Sequence, residues 1–167
     1  LWLIYLPLLV PQATFLLGIQ LLSISLHLDG TMIFLIWSHL LFVLPYIFLS
    51  LSDSWRSIDS RLLKTAQCLG SSPLNNLFRI KLPILLKQVL VAISIGLSVS
   101  IAQYLPTLFA GGGRFVTLTT EAVSYASSAD RRVIGVFAFL QSFLPLIGIL
   151  LALLIPKLVY RDRSAMS

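Results

Sequence analysis

The residues of this chain that could do chemistry are few, and none is spaced for catalysis. Its six acids, Asp29, Asp53, Asp59, Glu121, Asp130 and Asp162, fall in polar stretches or at the ends of apolar runs, so no carboxylate pair is set up for acid–base work. His39 has no second His, Cys or carboxylate at ligand spacing, which argues against a metal site. Cys68 is alone, so no internal disulfide can form, and it is expected to be a small buried apolar residue. The triple glycine Gly111–Gly113 is followed by Arg114 and lacks the Gly-Lys-Ser/Thr ending of a phosphate loop. No such loop and no Ser/His/Asp set occurs anywhere. The chain is therefore expected to be no enzyme, to have no catalytic residue and to need no cofactor.

What remains is a set of neutral polar groups and one basic loop. Gln12, Gln20, His39, Gln103 and Gln141 lie in or near apolar runs, where each either lines a solute path or bonds to a neighbouring helix. The loop between residues 52 and 82 carries Arg56, Arg61, Lys64, Arg79 and Lys81.

The elements that hold these groups follow from composition. Of 167 residues, 57% are apolar and 11% charged, with a mean hydropathy of +0.96. Soluble domains average about 45–50% apolar and about 25% charged. A fold of this size keeps much of its surface in contact with solvent, so that excess points to a bilayer. Runs of about 20 mostly apolar residues qualify as membrane spans. Four occur, over residues 2–26 (interrupted by Pro7 and Pro11), 31–51, 83–105 and 133–160. The chain opens inside the first run, without a Met or a basic region leading to a cleavage site, so a signal peptide is not expected and the chain is expected to be a fragment lacking further N-terminal spans.

Orientation follows from basic residues. Nine of the twelve, including Lys87, Lys157, Arg161 and Arg163, fall on the side of the 52–82 loop and the C-terminus; Arg114, Arg131 and Arg132 fall on the other. The positive-inside rule then makes the loop and the C-terminus cytoplasmic. Trp2, Trp55 and Tyr160 sit at span ends, as an aromatic belt requires. The net charge of +6 is accounted for by these orientation signals, and nucleic-acid binding is not expected. In the third span Ala92, Gly96 and Ser100 recur every four residues, a spacing that lets helix backbones approach.

The loop itself predicts two short helices meeting at a turn. Asp59 or Ser60 caps the first, Gly70 supplies its left-handed stop, and Ser72-Pro73 starts the second, which Pro83 ends. Leu62, Ala66 and Leu69 share one face of the first helix. An amphipathic connector on the bilayer surface is the plain alternative. Lys64-Thr65-Ala66, then Gly70, then Ile80, Leu82 and Pro83 fit the spacing of the E-A-A-x3-G-x9-I-x-L-P loop, departing from it at Lys64 and Thr65. On these residues the chain resembles the inner-membrane permeases of binding-protein-dependent ABC importers. The stretches 6–11, 28–30, 38–45, 103–114 and 117–121 extend the likeness over essentially the whole chain, closest to the C-terminal half of a fused double permease.

The resemblance implies an all-α, polytopic transmembrane bundle with a MetI-like permease core, one permease domain over 1–167. It implies that 52–82 is a cytoplasmic coupling loop in which Arg61, Lys64, Thr65, Ala66, Leu69, Gly70, Ile80, Leu82 and Pro83 meet the ATPase. It also implies that 106–131 belongs to an external gate, with Gln103, Tyr104, Pro106 and His39 near it; a plain connector is the alternative. The implied partners are a cytoplasmic ABC ATPase dimer, a second permease domain (fused or separate), an external substrate-binding protein and the lipid of a bacterial inner membrane. An ion-coupled secondary transporter is the rival reading, weakened because it usually requires ionisable groups at membrane depth. A non-catalytic membrane anchor is the other. Gly111–Gly113 is expected to be flexible and Thr119–Ser127 a short interfacial helix. Nothing in the sequence identifies a transported substrate.

Overall fold

The computed structural model describes residues 2–127 and 131–159; Asp130, Tyr160, Arg161, Asp162 and Arg163 lie outside the described residues. Of the described residues 84% are helical, and none is in a strand. A 3₁₀ turn over Trp2–Tyr5 leads into α1 (Leu6–Leu9), followed by α2 (Gln12–Ser25) and α3 (Met32–Arg56). The polar loop forms α4 (Ser60–Cys68), α5 (Pro73–Asn76), a π turn over Leu77–Lys81 and α6 (Leu82–Ile84). Then come α7 (Leu86–Ala102), α8 (Leu105–Gly111), α9 (Leu118–Ser127) and α10 (Arg131–Val159). Two helices, Met32–Arg56 and Arg132–Leu158, are each long and apolar enough to cross a membrane, and the count reaches four if two bent pairs each act as one span.

Two of the apolar runs are bent pairs of helices. The first run, interrupted by Pro7 and Pro11 in sequence, is bent: Leu3–Leu9 and Gln12–Ser25 meet at 119°. Pro11 causes this. It cannot donate to the carbonyl of Pro7, and it forces Val10 into an extended backbone (φ −90°, ψ 140°). The second pair, Pro73–Ile84 and Leu86–Ala102, bends by 81°. Pro83 does not end the second loop helix as its residue type suggests. It sits inside α6, and the bend falls at Leu85. The preceding turn widens so that the Leu82 N–H donates to Leu77, five residues back, which is how a helix absorbs a residue that cannot keep the regular ladder.

Helix α7 is the centre of the assembly and packs most extensively on α3 and α10. Its small residues divide between the two neighbours. Gly96 faces α3, so that a Cβ there would lie 2.8 Å from Ile47 Cδ1 and 3.2 Å from Val43 Cγ1. Ser94 faces α10: its hydroxyl lies 2.8 Å from the Gly148 carbonyl and 2.9 Å from the Leu90 carbonyl. A Cβ on Gly148 would lie 3.6 Å from the Ser94 hydroxyl, an ordinary contact distance, so the hydrogen bond rather than the missing side chain marks this crossing. A separate apolar core joins α2, α3 and α8 through Leu16, Ile19, Phe34, Leu35, Phe42 and Ala110. Phe15 packs edge-on against Phe42 within it, at 5.8 Å between ring centres. Most of the α10 surface is left uncovered, with only 6% of its apolar window buried.

Candidate coupling loop and polar gate

The loop is built from three local devices, all written in its residue types. Asp59 caps α4, its Oδ1 accepting from the Arg61 N–H at 2.8 Å. At the other end Gly70 takes φ +84°, the Gly70 N–H donates to Gln67 (2.9 Å) and the Ser71 N–H to Ala66 (3.0 Å). That pair of bonds is a Schellman stop. Ser72 caps α5 by accepting from the Asn75 N–H at 3.3 Å, with Pro73 in the first helical position. Two consecutive caps leave the intervening turn little freedom, so α4 and α5 form a defined helix-turn-helix.

No residue of α4 is buried. Arg61, Lys64, Thr65, Leu69 and Gly70 are exposed and Ala66 is half-buried. Cys68, expected in the interior, is exposed as well. The reason is positional: α4 touches little besides α5, so there is no core for it to join. Leu62, Leu69, Leu74 and Phe78 are uncovered, with Leu69 84% exposed. Ile80, Leu82 and Pro83 are half-buried where the loop rejoins the bundle. Lys81 holds that junction, its ammonium 4.4 Å from the centre of the Trp55 ring on the last turn of α3. Asn76, on the last turn of α5, is buried with neither amide atom hydrogen-bonded among the described residues.

Gly70 offers a direct test of the stop. Nothing lies within 4 Å of a Cβ placed there, so Gly70→Ala introduces no clash and its cost is the left-handed backbone alone. The expected loss is about 1 kcal/mol, read as a lowered Tm in detergent by circular dichroism.

A second cluster forms at the other end of α7, separated from the loop by roughly 25 Å of helix at 1.5 Å per residue. His39 on α3 places Nδ1 3.1 Å from the Ser100 hydroxyl of α7 and Nε2 2.9 Å from the Thr107 hydroxyl of α8. Thr107 gives its own proton to the Gln103 carbonyl at 2.7 Å, so its oxygen can only accept from the ring and Nε2 carries the hydrogen. In the neutral ring Nδ1 then accepts from Ser100. The Gln103 side chain closes the circuit by donating to the His39 backbone carbonyl at 3.2 Å. This circuit joins three helices through side chains at the point where α7 stops.

Of the residues expected at a gate, His39 and Gln103 are thus brought into contact, while Pro106 is buried one residue from Thr107. Tyr104 and Gln103 line a cleft of ≈ 680 Å³ whose other wall is the broken segment Pro7 to Gln12. Gln12 joins the cleft, whereas Gln20 and Gln141 do not. Sequence spacing does not mark Ser100 and Thr107 as polar partners of His39. Ser100 was legible only as a small residue in the every-fourth stripe, and Thr107 carried no periodic signal.

The segment beyond α8 packs against another turn of the chain. Gly112 and Gly113 both adopt positive φ, and a Cβ on Gly112 would lie 3.5 Å from the Gly30 Cα. The Arg114 side chain packs over Gly30 in turn. The 111–114 loop therefore closes on the Asp29–Gly30 turn. α9 starts one residue before the expected Thr119, with Thr117 and Thr120 capping each other's backbone N–H groups. Thr119 donates to the Ile101 carbonyl at the end of α7.

No protein-family model matches the chain. No solved structure matches it either. The chain is 43% identical over 159 residues to inner membrane ABC transporter permease protein YnjC of Escherichia coli (strain K12). That alignment covers 95% of this chain and 31% of the relative, so the chain spans about a third of the length of the curated protein it matches. The chain is thus a multi-helix membrane protein related, over nearly its whole length, to the C-terminal portion of an inner membrane ABC transporter permease.

Proposed function

We propose that this chain forms part of the translocation pathway of an ATP-driven importer and receives its driving motion through the 57–82 loop. The carrying observation is the α4–α5 helix-turn-helix. It is rigidly capped and fixed to α3 through Lys81 and Trp55, yet it leaves Leu62, Leu69, Leu74 and Phe78 uncovered. A stiff element with an unpaired apolar face suits a lever docked on another protein, since a slack loop could not pass on a displacement. Arg61, Lys64, Thr65, Ala66, Leu69 and Gly70 would contact a cytoplasmic ABC ATPase dimer. Ile80, Leu82 and Pro83 would carry the motion into α7. Lys64 gives this contact a basic residue where the E-A-A loop pattern has an acid.

In this reading the four spans are the two long helices and the two bent pairs, in a bacterial inner membrane with the loop and the C-terminus cytoplasmic. The 106–131 segment faces outward with Gln103, Tyr104, Pro106 and His39 at an external gate. A second permease domain and an external substrate-binding protein complete the path. Co-purification with a Walker-containing ATPase, lost on Gly70→Pro or on deletion of residues 61–76, is the expected result. Transport by the intact protein that runs on an ion gradient without ATP would overturn the proposal. Single cysteines at Ser57 and Val116, both exposed, are expected to react from opposite sides of sealed vesicles.

A further inference from the structure

An apolar groove of ≈ 440 Å³ runs along α3 beside the first 3₁₀ turn. Ile4, Leu44, Phe48 and Leu51 form its walls, and Trp55 and Arg56 stand at one end. The groove has almost no polar lining until that end, where the character reverses within a single helical turn. Lys81 does not line the groove itself, but its ammonium comes from the loop to within 4.4 Å of the centre of the Trp55 ring that does. Among the described residues neither Arg56 nor Lys81 forms an ion pair. Asp53, the acid nearest in sequence, is exposed and pairs with neither.

We infer that this groove is a binding site for an anionic phospholipid, with an acyl chain along α3 and the headgroup phosphate between Arg56 and Lys81. A hydrocarbon slot ending in an interfacial Trp and two cations matches the three zones of a lipid molecule: tail, glycerol region and phosphate. Basic residues at the cytoplasmic edge of a bilayer attract anionic headgroups by about 1 kcal/mol each, which is about fivefold in affinity. The neighbouring Lys81–Trp55 contact fixes one cation in place before the lipid arrives, so little side-chain freedom is lost on binding. The inference needs α3 to lie in a membrane but not the ATPase coupling, so failure of the Gly70→Pro test would leave it standing.

Trp55 reports on its own groove. In a Trp2→Phe, Trp37→Phe background it is the remaining tryptophan. The chain is reconstituted in phosphatidylcholine nanodiscs containing brominated phosphatidylglycerol or brominated phosphatidylcholine at equal mole fraction. Stronger quenching by the anionic lipid is expected, with the preference reduced about fivefold by Arg56→Gln. Lys81→Gln is the second variant should Arg56→Gln lose helicity. Equal quenching by the two lipids, or a preference unchanged in a folded variant, overturns the inference. So does a Trp55 that neither lipid quenches, which would mean that another protein segment fills the groove.

Discussion

Gly96→Leu is expected to separate α3 from α7 and to lower stability by about 3 kcal/mol, at the upper end of overpacking costs. The geometry makes the size of the effect depend on the side chain. A single Cβ at this position would sit 2.8 Å from Ile47 Cδ1, the free end of a flexible side chain that can rotate away. Gly96→Ala is therefore expected to be mild. Leucine adds three further carbons against Val43 and Ile47, and Val43 is itself buried. Helix association in a bilayer relies on close packing rather than on expulsion of water, so there is little to offset the lost contacts. Thermal unfolding in detergent, followed by circular dichroism, compares the two variants. Equal Tm values for alanine and leucine would refute the close α3–α7 contact.

The second large effect is expected at Thr107, where the isosteric change Thr107→Val keeps the shape and removes the hydroxyl. Thr107 is 1% exposed. Its loss leaves the His39 Nε2–H without an acceptor and the Gln103 carbonyl without its side-chain donor, for an expected cost of about 2 kcal/mol. His39→Leu is expected to cost less, although it also removes two side-chain bonds. The hydroxyl of Thr107 still gives its proton to Gln103, and Ser100 can turn to a carbonyl of its own helix, so no buried donor is stranded. The double variant His39→Leu/Thr107→Val is then expected to be more stable than Thr107→Val alone, because the orphaned ring N–H has gone. A double-mutant cycle measures this directly, and additive losses would show that the circuit is not coupled.

Much of this architecture is legible in the residue types. The caps Asp59, Gly70 and Ser72 are local chemistry, each deciding its turn through its own backbone or a neighbour within three residues, so the α4–α5 hairpin follows from residue types alone. The same holds for the apolar runs behind α3, α7 and α10. Prolines were less legible. Pro45 lies buried inside α3, and Pro83 lies inside α6. Pro11, by contrast, marks a 119° break. The residue is the same in each case. What differs is the neighbouring backbone: the chain ahead of Pro83 stays helical through a π turn, whereas Val10 ahead of Pro11 is extended.

The candidate sites divide along the same line. The loop residues are contiguous in sequence, so a spacing pattern could gather them. The polar circuit could not be gathered that way, because His39 lies 61 and 68 residues from its partners Ser100 and Thr107. Only the crossing of α3 over α7, with α8 folded back beside them, places a histidine between two hydroxyls. Cys68 shows the converse. Its residue type favours burial, but among the described residues α4 packs on little besides α5, so the thiol stays exposed. Sequence by itself determined the helical class, the apolar runs and the capped lever, since hydropathy and caps act over a few residues. Tertiary structure alone decided which small residue of α7 meets which neighbour, where the bent pairs turn and which polar groups meet, because those depend on contacts between segments distant in the chain.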